Sequence, residues 1–177
     1  MGDSFELIKY IDRISKFIPD AREIRIATYG LYSGFIKNDE YVDVNNSASK
    51  LLKLFPDNTS IIVGFPELWP CKEGCIDCIE KYKQTMNRIN LTMEQFPRFN
   101  WFKTSQFHAK WYLLKYGTGI IGYTGGHNLT GSGWFDISVR MSVKAAEIAW
   151  DLHSEKMYEI DQANRETCDE WEVQEDK

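Results

Sequence analysis

Glu23-Ile24-Arg25-Ile26-Ala27-Thr28-Tyr29, closed by Gly30, alternates along its length. That is the pattern of a strand that turns one face to a core. Further on, Ser60-Ile61-Ile62-Val63-Gly64-Phe65 is a nearly continuous apolar run, which reads as a buried strand. Between the two lie a polar loop over 37–46, a short helix from Ser47 to Phe55, and the turn Pro56-Asp57-Asn58. Strand, helix, strand in that order predicts a βαβ unit and an α/β fold. The expected architecture is a mixed, mostly parallel sheet flanked by helices.

The same reading extends outward. Residues 3–18 have helical apolar spacing, with Asp3 or Ser4 as N-cap and Pro19-Asp20 as the stop. Residues 78–95 read as a helix and Phe99 to Lys103 as a short strand. Phe107 to Tyr116 and Thr118 to Tyr123 read as a strand pair around Gly117, and Trp134 to Ser142 as another strand. Residues 144–164 read as a helix burying Ala145, Ile148, Ala149, Leu152 and Tyr158. The chain of 177 residues is expected to form one domain over 1–165, with a frayed acidic tail over 166–177.

Apolar residues at 43% and charged residues at 27% exclude disorder and collagen-like repeats. No apolar run approaches a membrane span, and the first residues lack a signal-peptide pattern. A cytoplasmic protein with reduced cysteines and no membrane partner is therefore expected. The net charge of -5 argues against a uniformly basic nucleic-acid binder. Yet nine acids and three bases lie between Glu155 and Lys177. From Lys81 to Lys115 there are seven bases (Lys81, Lys83, Arg88, Arg98, Lys103, Lys110, Lys115) against Glu94 alone. A local basic groove, and an acidic tail that competes for it, are compatible with that distribution.

The chemistry concentrates in Gln106-Phe107-His108-Ala109-Lys110-Trp111-Tyr112 and in Tyr123-Thr124-Gly125-Gly126-His127-Asn128-Leu129-Thr130-Gly131-Ser132-Gly133. On a strand, His108 and Lys110 would share a face. A histidine can serve as nucleophile or proton shuttle near neutral pH, and a neighbouring lysine can hold a phosphoryl oxygen. Gly125 and Gly126 permit close backbone approach to a ligand. The Asn128 amide can donate to the same oxyanion, and His127 can reach substrate. The plain alternatives are a polar strand edge, a turn and a helix cap.

His108-Ala-Lys110, followed after a hairpin by Gly-Gly-His-Asn128-Leu-Thr, resembles the phospholipase D superfamily signature, and its nuclease branch most of all. The resemblance spans roughly residues 20–142. It implies a phospholipase D-like nuclease fold and a metal-independent phosphodiesterase. His108 would attack phosphorus to form a phosphohistidine, with Lys110 and Asn128 stabilising the equatorial oxygens. A second histidine would protonate the leaving oxygen and then activate water. One H-x-K per chain implies a homodimer that brings two motifs together. The family pattern places an aspartate seven residues after the histidine, where this chain has Lys115. Many relatives keep a glutamate after the asparagine turn, where this chain has Val139. Asp136 is the nearest acid that could orient His108, with Ser138 as an alternative.

Cys71-x3-Cys75-x2-Cys78 can chelate a structural zinc with a fourth ligand from elsewhere. The spacing also resembles the cluster motif of radical SAM enzymes, but the chain is too short for their usual barrel. No cofactor is expected in catalysis. DNA is the expected partner, because the basic run interleaves with Trp101, Phe102, Phe107, Trp111 and Tyr112. Lys103 and Lys115 are then candidate backbone contacts. A silent nucleic-acid-binding module and a lipid phosphodiesterase are the alternatives.

Overall fold

The computed structural model describes residues 14–45, 47–65, 76–105, 107–126, 129 and 138–175, with side chains left out at 47, at 138 and beyond 164. Six strands form one sheet. They are β1 (Glu23–Tyr29), β4 (Thr59–Gly64), β5 (Asn100–Thr104), β6 (Trp111–Tyr116), β7 (Gly119–Gly125) and β8 (Ser138–Arg140), in the spatial order β5-β4-β1-β6-β7-β8. β4 runs parallel to both β1 and β5, while β6, β7 and β8 alternate in direction. It follows that β1, β4, β5 and β7 all point the same way, and their carboxyl ends (Tyr29, Gly64, Thr104 and Gly125) lie along one sheet edge. This is the mixed α/β sheet expected from the strand–helix–strand order.

Among the described residues, three helices cover the sheet: α1 (Ser47–Leu54), α2 (Ile76–Gln95) and α3 (Val143–Glu175). Every residue of β4 is buried, as a central strand covered on both faces requires. Ile24, Ile26, Ile61, Val63, Tyr112 and Leu114 face one layer, where they pack on Leu51, Leu52 and Phe55 from α1 and its end, and on Ile89 from α2. Ile14 and Ile18 join that core; the rest of the helix expected over 3–18 lies outside the described residues. The Tyr116 hydroxyl donates to the Phe17 carbonyl and ties this segment to the sheet. Arg98 donates to the Leu52 and Phe55 carbonyls at 3.0 Å, satisfying acceptors that the end of α1 leaves open.

Among the described residues, α3 is the helix that packs on the opposite face. Ala27, Trp111 and Leu113 meet Ala149 and Trp150. The expected inward face of this helix needs correction. Ala149 is buried, but Ile148, Leu152 and Tyr158 are exposed, and the inward positions are Ala146, Ala149, Trp150, His153 and Ile160. Close approach decides the choice. A Cβ on Gly122 would lie 2.6 Å from the Met141 sulfur and 2.9 Å from the Ala146 Cβ, so only small side chains fit where α3 crosses β7. Trp150 faces inward because the Arg25 guanidinium, 3.9 Å from its ring centroid, covers it. The helix also continues to Glu175, past the end at 164 read from the sequence.

Two further corrections concern loops. The expected polar loop over 37–46 contains a hairpin, β2 (Gly34–Lys37) and β3 (Glu40–Asp43), in register through Lys37 and Glu40. Asn38 and Asp39 at its tip have positive φ, 52° and 63°, the geometry of a two-residue primed turn. Buried Ser33 and Thr92 dock the hairpin on α2: the Ser33 hydroxyl donates to Thr92 Oγ1 at 3.0 Å and lies 2.7 Å from the Tyr41 hydroxyl. The strand expected over 134–142 is described only from residue 138, and its ladder ends at Arg140. Among the described residues, no helix is long and apolar enough to cross a membrane.

Candidate active site

The sheet edge that gathers four carboxyl ends also receives the segment 107–110. The ladder between β1 and β6 ends at Ala27 and Trp111. His108 and Lys110 therefore precede the strand, whereas the sequence pattern places them within it. On its other side β1 stays paired with β4 past this point, the Gly30 N–H donating to the Gly64 carbonyl at 3.0 Å. Inside–outside alternation persists across the exit. Phe107 and Ala109 pack against the Trp111 cluster, and His108 is exposed.

His108 lies flat on Tyr29. Their ring centroids are 3.7 Å apart with planes inclined by 25°. Gly64 makes this stacking possible: a Cβ there would sit 2.2 Å from the Phe107 carbonyl oxygen and 2.9 Å from Tyr29 Cδ2. The first is a backbone atom and the second belongs to the ring stacked on His108, so a Cβ here would have to displace the 107–108 backbone or that ring. Gly64→Ala is expected to lower stability by about 1–3 kcal/mol, the usual cost of overpacking, or roughly 3–10 °C in melting temperature for a chain of this size. Thermal melts check the value, and an unchanged melting temperature would show that the 107–110 segment moves freely.

The glycine turn returns to the same edge. The Thr124 hydroxyl donates to the Lys110 carbonyl at 2.8 Å, which fixes the lysine backbone to the end of β7. Gly125 closes β7, and Gly126 follows it exposed. Leu129 is buried at 1% exposure. Its N–H donates to Thr28 Oγ1 at 2.8 Å, and its carbonyl accepts from the Tyr32 N–H at 2.8 Å. The position after Asn128 is thus tied to the strand end that carries Tyr29. Asn128, His127 and Asp136 themselves lie outside the described residues, as do Cys71 and Cys75 of the expected zinc cluster. Cys78 sits half-buried in the first turn of α2.

The basic run does not form one surface. Lys103 stands near the carboxyl end of β5, with its ammonium 3.0 Å from Asn90 Oδ1. Lys115 lies at the far end of β6, opposite Glu23, with its ammonium 5.0 Å from the Trp150 ring centroid. That position removes Lys115 from the edge where His108 stands: four residues of strand, Trp111 to Leu114, separate it from Lys110. Arg88 covers the Tyr32 ring at 4.9 Å, and Arg98 closes α1. Of the expected substrate contacts, Lys103, Lys110, Gly125 and Gly126 share the edge with His108. Tyr29, Thr28 and Gly64 were missed by the motif reading. The available signal was positional: Tyr29 and Gly64 close strands, and Thr28 precedes Tyr29, where the carboxyl ends open on the crevice in which ligands of such sheets bind.

No family model matches the chain, and no curated protein matches it. Among solved structures, it is similar to TrmBL2, an archaeal chromatin protein described as showing a novel mode of DNA binding. That match has a TM-score of 0.43 and 8% identity, over 89% of this chain and 52% of that one. It is also similar to polyphosphate kinase from Porphyromonas gingivalis, with a TM-score of 0.49 and 15% identity, over 91% of this chain and 26% of that one. The chain thus spans about half the length of the first and about a quarter of the second.

Proposed function

We propose that the chain is a metal-independent phosphodiesterase that cleaves DNA through a phosphohistidine on His108 and works as a homodimer. One observation carries the reading. The His108–Lys110 segment and the turn from Gly125 to Leu129 are drawn to a single sheet edge by the Thr124–Lys110 and Leu129–Thr28 hydrogen bonds. Separate polar loops would have no reason to be tied to neighbouring strand ends on the same sheet edge.

The chemistry follows from the residue types. A neutral imidazole nitrogen of His108 forms a bond to phosphorus, and the phosphorus–oxygen bond to the leaving group breaks. The ammonium of Lys110 and the Asn128 amide offset the charge that collects on the equatorial oxygens. The leaving oxygen takes a proton from a second histidine, which then accepts a proton from the water that releases the phosphate. His108 of a second copy fills that role. DNA is the favoured substrate because Lys103 and Lys110 stand on this edge and can follow a polyphosphate backbone.

The test is cleavage of plasmid DNA in excess EDTA, followed by an alkaline quench that traps an acid-labile phosphoenzyme. Cleavage that survives EDTA, with label on His108, is the expected result. A requirement for magnesium would overturn the reading. Turnover of a phosphatidyl substrate with inert DNA would move it to lipids.

A further inference from the structure

We propose that Tyr29 is the positioning residue of the site: the face of its ring sets the plane of the His108 imidazole and stabilises the cationic ring that forms on attack. A nucleophilic histidine works only if a third group fixes its ring. Among the described residues, no carboxylate and no carbonyl is hydrogen-bonded to either ring nitrogen of His108; its contact is the Tyr29 stack at 3.7 Å. An exposed imidazole on an irregular segment has free rotamers unless something restrains it. Here the restraint is a flat surface. It leaves both nitrogens open at the ring edge, one for phosphorus and one for its proton.

Tyr29 is itself well placed for this. It closes β1, pairs with Gly64 in the parallel ladder, and is followed by Gly30 at φ 104°. Gly64 clears the space through which Phe107 brings His108 onto that face. The arrangement also favours the charged state. When nitrogen bonds to phosphorus, the ring keeps the proton on its other nitrogen and so becomes cationic. The leaving oxygen departs with the electron pair of the broken bond and is protonated by the second histidine. An aromatic face attracts a cation above it, so the stack is stronger after attack than before. Such a gain accelerates the step rather than merely binding substrate.

The kinetic part of this inference rests on the phosphodiesterase reading; the structural part does not. The experiment records the imidazole C–H signals of His108 by NMR in the full chain, together with kcat and KM on DNA. Three proteins are compared: wild type, Tyr29→Phe and Tyr29→Leu. Tyr29→Phe is expected to keep the ring-current shift of His108 and to keep kcat within about twofold. Tyr29→Leu is expected to lose the shift and about tenfold in kcat, with KM little changed. His108 signals that do not move in Tyr29→Leu would overturn the proposal, whatever the activity. A lost shift with kcat unaltered would overturn the catalytic half. Should wild type turn over no phosphodiester, the functional reading fails, and the His108 signals alone decide whether Tyr29 holds the ring.

Discussion

As the pH falls from 6.5 towards 3, the fold is expected to lose stability steadily through His153 alone, on the order of 1 kcal/mol per pH unit. His153 is fully buried between α3 and the sheet. Trp111 Nε1–H donates to its Nδ1 at 3.2 Å. Indole can only donate, so Nδ1 must carry the lone pair, and the proton of the neutral ring sits on Nε2. Nε2 lies 3.2 Å from the Ser60 hydroxyl and donates to it. Burial, and then the charge of Arg25, push the pKa down from 6.5 to about 3. A second proton would also set Nδ1–H against the indole N–H. In the unfolded chain, His153 binds a proton near its ordinary pKa. Below 6.5 the unfolded state therefore holds more protons than the folded one, and stability falls until the folded pKa is reached. His153→Gln is neutral at every pH. Denaturant midpoints at about pH 7, 5.5 and 4.5 are expected to fall more steeply for wild type than for this variant. The carboxylates titrate alike in both proteins and cancel in the comparison. Parallel slopes would show that His153 is not the group that responds.

His108→Ala is expected to lower DNA cleavage by roughly a thousandfold or more, because no other group can take over the bond to phosphorus. In free energy this is on the order of 4 kcal/mol of lost transition-state stabilisation. On the proposed function, binding should change little, since Lys103 and Lys110 remain. Lys110→Ala is expected to behave differently. It leaves the nucleophile in place, lowers kcat by about a hundredfold, and reduces the salt dependence of binding. The contrast between the two variants separates covalent chemistry from charge. Single-turnover rates and anisotropy titrations on one oligonucleotide measure both. Equal rates for wild type and His108→Ala would remove His108 from the reaction.

What could be read from the sequence was local. The alternation over Glu23 to Tyr29 and the apolar run over Ile61 to Val63 announced β1 and β4, because the period of two is set by the backbone of the strand itself. The helical spacing near 47–55 and 78–95 placed α1 and α2 for the same reason. The motif around His108 and the glycine turn was visible as residue types in order. The hairpin at 34–43 was hidden because its strands are short and mostly exposed. Its signal was confined to the Asn38-Asp39 turn and to contacts with α2, a separate element.

Tertiary structure alone decided which face of α3 is buried. Periodicity offered Ile148 and Leu152, but close packing on Gly122 required Ala146, and Arg25 claimed Trp150. It also decided which bases share an edge with His108, for Lys115 is the same residue type as Lys110 and lies at the opposite end of β6. It brought Tyr29 under His108 through a glycine on a third segment. Each of these outcomes depends on how near two distant stretches can approach, and that is fixed by the volume and hydrogen bonds of both partners at once. By itself the sequence determined the main strands and helices and the order of the motif residues; their placement along one sheet edge came from the packing between segments.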